Sequence, residues 1–204
     1  MKRAVVTAFV LTIGFVLPSA AAAQSIGVLG GASFANMRGS VPDGTVSGTL
    51  GLEAGVYFTR PANDFLDLHV EALFSRKGAA FHFPTFESSP VVVARVTYFE
   101  LPVLLEWKLG SRIKVSGGMV LAWKVGHHET IEIAGRDDQL YPYYSNYVKD
   151  SVDGSLAIGG QFQLKKHAIG VRYTHGFANL AARPDTTLRN HTLAFTFIMP
   201  LWNR

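Results

Sequence analysis

From Gln24 onward, apolar and polar residues alternate with a period of two, the pattern of strands with one apolar face rather than of helices. Leu50, Leu52, Ala54, Val56 and Phe58 share one face of a segment, and Gly51, Glu53, Gly55 and Tyr57 share the other. The same phase runs through Leu66 to Ser75, Phe99 to Lys108, Ile113 to Lys124, Ser155 to Leu164 and Ala168 to Phe177. With Ile26 to Asn36 at the start and His191 to Leu201 at the end, the pattern predicts eight strands, an even number that suits a closed antiparallel barrel.

The connections sharpen this expectation. Met37 to Ser47, Gly78 to Pro90, Gly126 to Asp150 and Asn179 to Arg189 read as long loops, whereas Thr59 to Asp64, Gly110 to Ser111 and Lys165 to His167 read as short turns. Long and short alternate along the chain. Barrels of the outer membrane place short turns on the periplasmic side and longer loops outside; a soluble sandwich has no reason to sort its connections this way.

One face of each segment is almost purely aliphatic and aromatic, and the other is rich in Gly, Ala, Ser and Thr with scattered charge. Small residues suit the interior of an eight-stranded barrel, which is just wide enough for side chains to fill. The aliphatic face is therefore expected to meet lipid. Aromatic residues cluster near the segment ends, with Phe58, Phe65, Trp107, Phe162 and Trp202 toward the short turns and Phe34, Phe74, Phe99, Trp123 and Phe177 toward the long loops. Two such girdles are favoured at the interfaces of a bilayer.

The first 23 residues stand apart from this pattern. Lys2 and Arg3 precede the apolar run Ala4 to Leu17, which ends in Pro18-Ser19 and the small residues Ala20 to Ala23, the order of a secretory signal cleaved after Ala23. The run is shorter than the roughly 20 residues a membrane helix needs. The expected organisation is a signal peptide over 1–23 and a barrel domain over 24–204. Cleavage removes Lys2 and Arg3 and so lowers the net charge of +4 by two, which takes nucleic acid out of the set of partners. An apolar content of 48% excludes a disordered chain, and the absence of cysteine excludes a disulfide scaffold and a Cys-ligated metal or cluster. Nothing in the pattern calls for a cofactor.

Four stretches carry a family resemblance: Gly27-Val28-Leu29-Gly30-Gly31-Ala32-Ser33-Phe34, Glu71-Ala72-Leu73-Phe74-Ser75-Arg76-Lys77-Gly78, Tyr98-Phe99-Glu100-Leu101-Pro102 and Arg172-Tyr173-Thr174-His175-Gly176. In these the chain resembles the outer-membrane β-barrel family that includes the PorT-like and porin-family small barrels of Gram-negative bacteria. The resemblance implies an eight-stranded antiparallel transmembrane β-barrel in the outer membrane, non-enzymatic, working through its external loops as a structural, porin-like, adhesion or secretion-assisting component. It also implies outer-membrane lipid and the outer-membrane assembly machinery as partners, with envelope or secretion proteins beside them. The alternatives are a soluble exported lipocalin-like barrel holding an apolar ligand and a lipid-modifying outer-membrane enzyme.

Candidate sites follow from the predicted faces. Charges on the inward face (Glu53, Asp67, Glu71, Glu100, Glu106, Lys108, Lys114, Lys124 and Arg172) must pair or reach water. The expected lumen network joins Glu71, Glu100, Arg172 and Lys124, with Glu71 and Glu100 sharing Arg172 or a lysine. Such a network serves either as an ion or proton path or, as favoured here, as an ion-pair plug. His127-His128-Glu129 lacks the spacing of a zinc-protease helix and reads as a solvated loop segment. His175 has Phe177 where a deacylase would place a serine, and no Gly-x-Ser-x-Gly elbow is present. Tyr141, Tyr143, Tyr144 and Tyr147 crowd the longest loop and are candidates for external binding, or for capping the barrel mouth, because tyrosine buries a large area at low entropic cost.

Overall fold

Strands form where the period of two is strictest, and in the computed structural model all eight do. They are β1 (Ser25–Ser40), β2 (Thr45–Pro61), β3 (Leu66–His82), β4 (Val91–Leu109), β5 (Ile113–Glu132), β6 (Val152–Leu164), β7 (His167–Gly176) and β8 (Thr187–Asn203). The structure describes residues 25–40, 45–82, 91–132, 152–179 and 187–203. Each strand pairs antiparallel with its neighbour in sequence, and β1 pairs with β8 to close the barrel. Closure leaves no open edge, which is the condition for β-structure to sit in hydrocarbon.

The orientation follows the expectation. Leu50 and Leu52 are 78% and 70% exposed, and Val56, Phe74, Met119, Ile158, Phe195 and Leu201 also lie on the outer surface. Glu53, Asp67, His69, Glu71, Lys77, Glu100 and Glu106 are buried in the lumen. Two small apolar clusters lie between these charges: Leu29, Tyr57, Leu73, Ala168 and Ile198 in one, and Leu104, Val120 and Ala157 in the other. The aromatic levels are also present. Phe74 packs edge-on against Phe99 at 5.6 Å between ring centres, and Phe99 lies 6.0 Å from Trp123, so one ladder crosses β3, β4 and β5. At about 3.4 Å per residue and a tilt near 40°, the stretch from Phe99 to Trp107 on β4 spans roughly 20 Å of bilayer height.

Strand lengths correct the loop reading. β1 runs to Ser40 and β2 starts at Thr45, so only residues 41–44 connect them, no longer a link than 62–65 on the opposite side. β3 likewise extends to His82 and β5 to Glu132. A strand needs about 9–11 residues to cross the bilayer, whereas β4 and β5 have 19 and 20. The first long loop thus shrinks to the length of a turn, whereas the links 83–90, 133–151 and 177–186 stay longer than 110–112 and 165–166 at the other end, and the strands on the long-loop side add to the asymmetry. His127, His128 and Glu129 consequently belong to β5 and not to a loop.

Two irregularities of the ladder lie at prolines. Proline has no N–H to donate, and the β3–β4 register passes from Val70↔Val103 to Leu73↔Glu100 across Leu101-Pro102. Pro200 stands beside the bulge at Ile26/Gly27 in the β1–β8 seam. The β4–β5 turn is carried by Gly110 with φ +86°, a conformation in which a side chain would be strained.

Candidate functional site

The lumen is filled by a column of polar side chains, each contributed by an inward position of a strand. At the short-turn end, Lys114 of β5 donates to Asp67 of β3 and to Glu106 of β4, both at 3.0 Å. Lys108 lies 2.7 Å from the second Asp67 oxygen, and Gln161 of β6 donates to the second Glu106 oxygen at 2.6 Å. These groups face a cavity of about 440 Å³ at that mouth, which Tyr57, Thr59 and His69 help to line.

His69 carries the network deeper. Its Nε2 is 3.0 Å from Glu71 Oε1, and its Nδ1 is 2.7 Å from Thr59 Oγ1 and 3.5 Å from Glu106 Oε1. A carboxylate can only accept, so Nε2 bears a proton. The imidazole is stacked on Tyr57 at 5.3 Å, which fixes its plane.

At mid-height Arg172 of β7 reaches across the lumen. Nη1 donates to Glu71 Oε2 at 2.5 Å, and Nη2 donates to Glu53 Oε1 of β2 at 3.0 Å. One planar fork thereby ties three strands together. Polar side chains thus follow one another from Lys108 to Glu53, in bonded groups that meet where His69 Nδ1 approaches Glu106. Toward the long-loop end a second cluster follows, in which Lys77 lies 2.7 Å from Glu100 and Ser75 also donates to Glu100. The Lys77 ammonium sits 5.9 Å from the ring centre of Tyr98, which is fully buried. Asn190 of β8 donates to the Tyr98 hydroxyl at 3.4 Å and to Asp153 at 2.8 Å.

Burying charges costs several kcal/mol per ion before pairing, so such a column adds little net stability over an apolar filling. Its effect is one of constraint. Each carboxylate is held by a cation or donor from another strand, and the barrel cannot widen without breaking these contacts.

Measured against the sequence, the structure brings Glu71 and Arg172 together, but the second carboxylate on Arg172 is Glu53 and not Glu100. Glu100 takes Lys77, which was absent from the expected inward charges. Parity was the available signal, since Lys77 shares its face with Glu71, Leu73 and Ser75. His69, also missed as a network member, has the same parity. Lys124 is half-buried on β5 in register with Tyr98, beside the second cluster. His175 is exposed on the outer wall, edge-on to His191 at 4.5 Å, while Tyr173 contacts His191 Nδ1 at 2.8 Å. Tyr141, Tyr143, Tyr144 and Tyr147 lie outside the described residues, as does the 1–23 segment.

A family model described as the outer membrane protein β-barrel domain matches residues 22–182. The chain belongs to this family. Its location is accordingly the outer membrane. Among solved structures it is similar to the neisserial surface protein A, with 12% identity and a TM-score of 0.49 over 88% of this chain and 99% of that one. OprG from Pseudomonas aeruginosa gives 13% identity and a TM-score of 0.45, covering 88% and 94%. Ail, the attachment invasion locus protein of Yersinia pestis, gives 12% and 0.43, covering 88% and 100%. No curated protein matches the chain.

Proposed function

We propose that this protein is a non-enzymatic outer-membrane barrel of the PorT-like, porin-family kind, exported by its N-terminal signal. In this reading its lumen is a closed structural plug and its work is done by the external loops, in adhesion or in assisting envelope or secretion proteins. The observation that carries the proposal is the column in which Lys108 and Lys114 share Asp67, Lys114 also holds Glu106, and Glu71 joins His69 to Arg172, which in turn holds Glu53; it occupies the space a solute would need. An eight-stranded barrel has little further width to offer.

The charged lumen argues against a lipocalin-like role, because an apolar ligand would have to displace paired ions. The surroundings of His175 give the lipid-modifying alternative no support: among the described residues it lies between Leu156 of β6 and His191 of β8, and Phe177 occupies the position two residues on.

Two measurements test the proposal. The mature protein should stay with membranes through high salt and leave with detergent, and in planar bilayers it should give no porin-type conductance steps. Extraction by salt alone would remove the membrane reading, and steady conductance would remove the plug. Replacing Tyr141, Tyr143, Tyr144 and Tyr147 with serine should weaken attachment of whole cells to a surface while leaving heat-modifiable gel migration unchanged.

A further inference from the structure

Among the described side chains, charge is sorted by face. Of the carboxylates whose side chains are described, Glu53, Asp67, Glu71, Glu100, Glu106 and Asp153 face the lumen, and only Asp64, on a short turn, lies outside it. The exposed charged residues of the described outer wall beyond the long-loop girdle are all arginines: Arg76, Arg95 and Arg189. A purely solvent-facing rim would be expected to mix both signs. A wall that meets phosphate groups has reason to exclude carboxylates.

Two of these arginines are neighbours. Arg76 stands opposite Thr97 in the β3–β4 register, and Arg95 lies two residues from Thr97 on the same face of β4. The diagonal spacing of such a pair is about 7–8 Å between backbones, within the reach of two guanidinium groups toward one anion. Neither forms an ion pair among the described residues. Directly toward the membrane lies the aromatic ladder, with Phe74 two residues before Arg76 and Phe99 two residues after Thr97. The level of these groups is therefore the boundary between acyl chains and headgroups, on the side of the extended strands.

We infer that Arg76 and Arg95, with Thr97 between them, form a binding site on the outer wall for the phosphorylated headgroup of an external-leaflet glycolipid of the lipid A type. Guanidinium groups donate to phosphate oxygens in pairs, the threonine hydroxyl supplies a further donor, and the lipid's acyl chains run down over Phe74, Phe99 and Trp123. The inference rests on the outer-membrane orientation in which the long-loop end is external.

The test uses the mature full-length protein in detergent with added lipid A, counting bound lipid by native mass spectrometry. Wild-type protein should retain phosphorylated lipid A at least tenfold more tightly than the R76Q/R95Q variant, and should not distinguish itself from that variant with dephosphorylated lipid A. R76K/R95K, which keeps the charges but loses the fork, should fall between them. It also serves as the reading should the glutamine variant fail to show heat-modifiable migration. K165Q/K166Q, altered on the opposite rim, should behave as wild type. Equal retention by wild type and both arginine variants would overturn the site, as would equal retention of lipid A with and without phosphate. Preference of the wild type for phosphatidylglycerol over lipid A would overturn the assignment to the external glycolipid. Each of these failures would leave detergent-dependent extraction intact, so it is separable from failure of the membrane reading itself.

Discussion

The outer wall and the lumen are made by the same eight strands, often by consecutive residues, yet they are held by different physics. Met119 on the wall and Val120 in the lumen are adjacent in β5, one 53% exposed and the other 1%. The wall needs only to be apolar in the membrane band and aromatic at its borders, a requirement many side chains meet. The lumen depends on directed contacts among particular partners, such as the two carboxylates on one guanidinium of Arg172. A slip of one residue would exchange the two sets completely. The lesson is that orientation in this fold is secured twice, by what lipid accepts outside and by what must be paired inside.

Breaking the lumen should cost most. Arg172→Met leaves Glu53 and Glu71 without their shared cation, and removing one member of a buried ion group costs about 3–5 kcal/mol. The measurement is urea unfolding of the barrel in lipid vesicles, followed by tryptophan fluorescence. Adding Glu53→Leu and Glu71→Met to the same chain should recover much of the loss, because the uncompensated charges go with them. If Arg172→Met alone unfolds like the wild type, the column does not constrain the barrel.

The wall is challenged by putting a charge where only hydrocarbon is expected. Met119 stands in register with Val103, midway between the girdle residues Phe99 and Trp107. An arginine at position 119 should destabilise by about 2–4 kcal/mol in vesicles, the cost of a cation near the bilayer midplane of a barrel. In a detergent micelle, where water is close, the same substitution should cost clearly less. Equal and negligible costs in both media would mean that this face does not lie in lipid.

How legible each region was in the sequence follows from the same contrast. The wall could be read directly, since its rule is an alternation and Leu50, Leu52, Val56 and Phe58 keep it without exception. Its upper limit could not. Beyond the girdle, Gly78, Ala79 and Ala80 on β3 and Val91 to Ala94 on β4 are similar on both faces, so the alternation that marks a strand fades although the strands continue. The lumen could be read only as a set of inward charges. Register gives neighbours along adjacent strands, but Arg172 on β7 meets Glu53 on β2 and Glu71 on β3 across the interior, and that choice depends on barrel shear and on bulges such as Thr97/Tyr98. Lys77 was hidden for a simpler reason: it follows Arg76, and only parity tells which of the two points inward.

The smallest expected effect lies on the wall, where contacts are least specific. Phe99 touches both Phe74 and Trp123, so Phe99→Leu removes two ring contacts while leaving an apolar side chain that lipid tolerates. Aromatic pairs are worth about 0.5–1.5 kcal/mol beyond the area they bury, and the loss here should fall in that range. The substitution that discriminates is Phe99→Tyr, which keeps the ring and adds a hydroxyl. At a membrane interface a tyrosine is as welcome as a phenylalanine, so its stability in vesicles should match the wild type. If Phe99→Tyr instead costs as much as Met119→Arg, then Phe99 sits within the hydrocarbon and not at its border, and the membrane extends further toward Arg76 and Arg95 than the girdle implies.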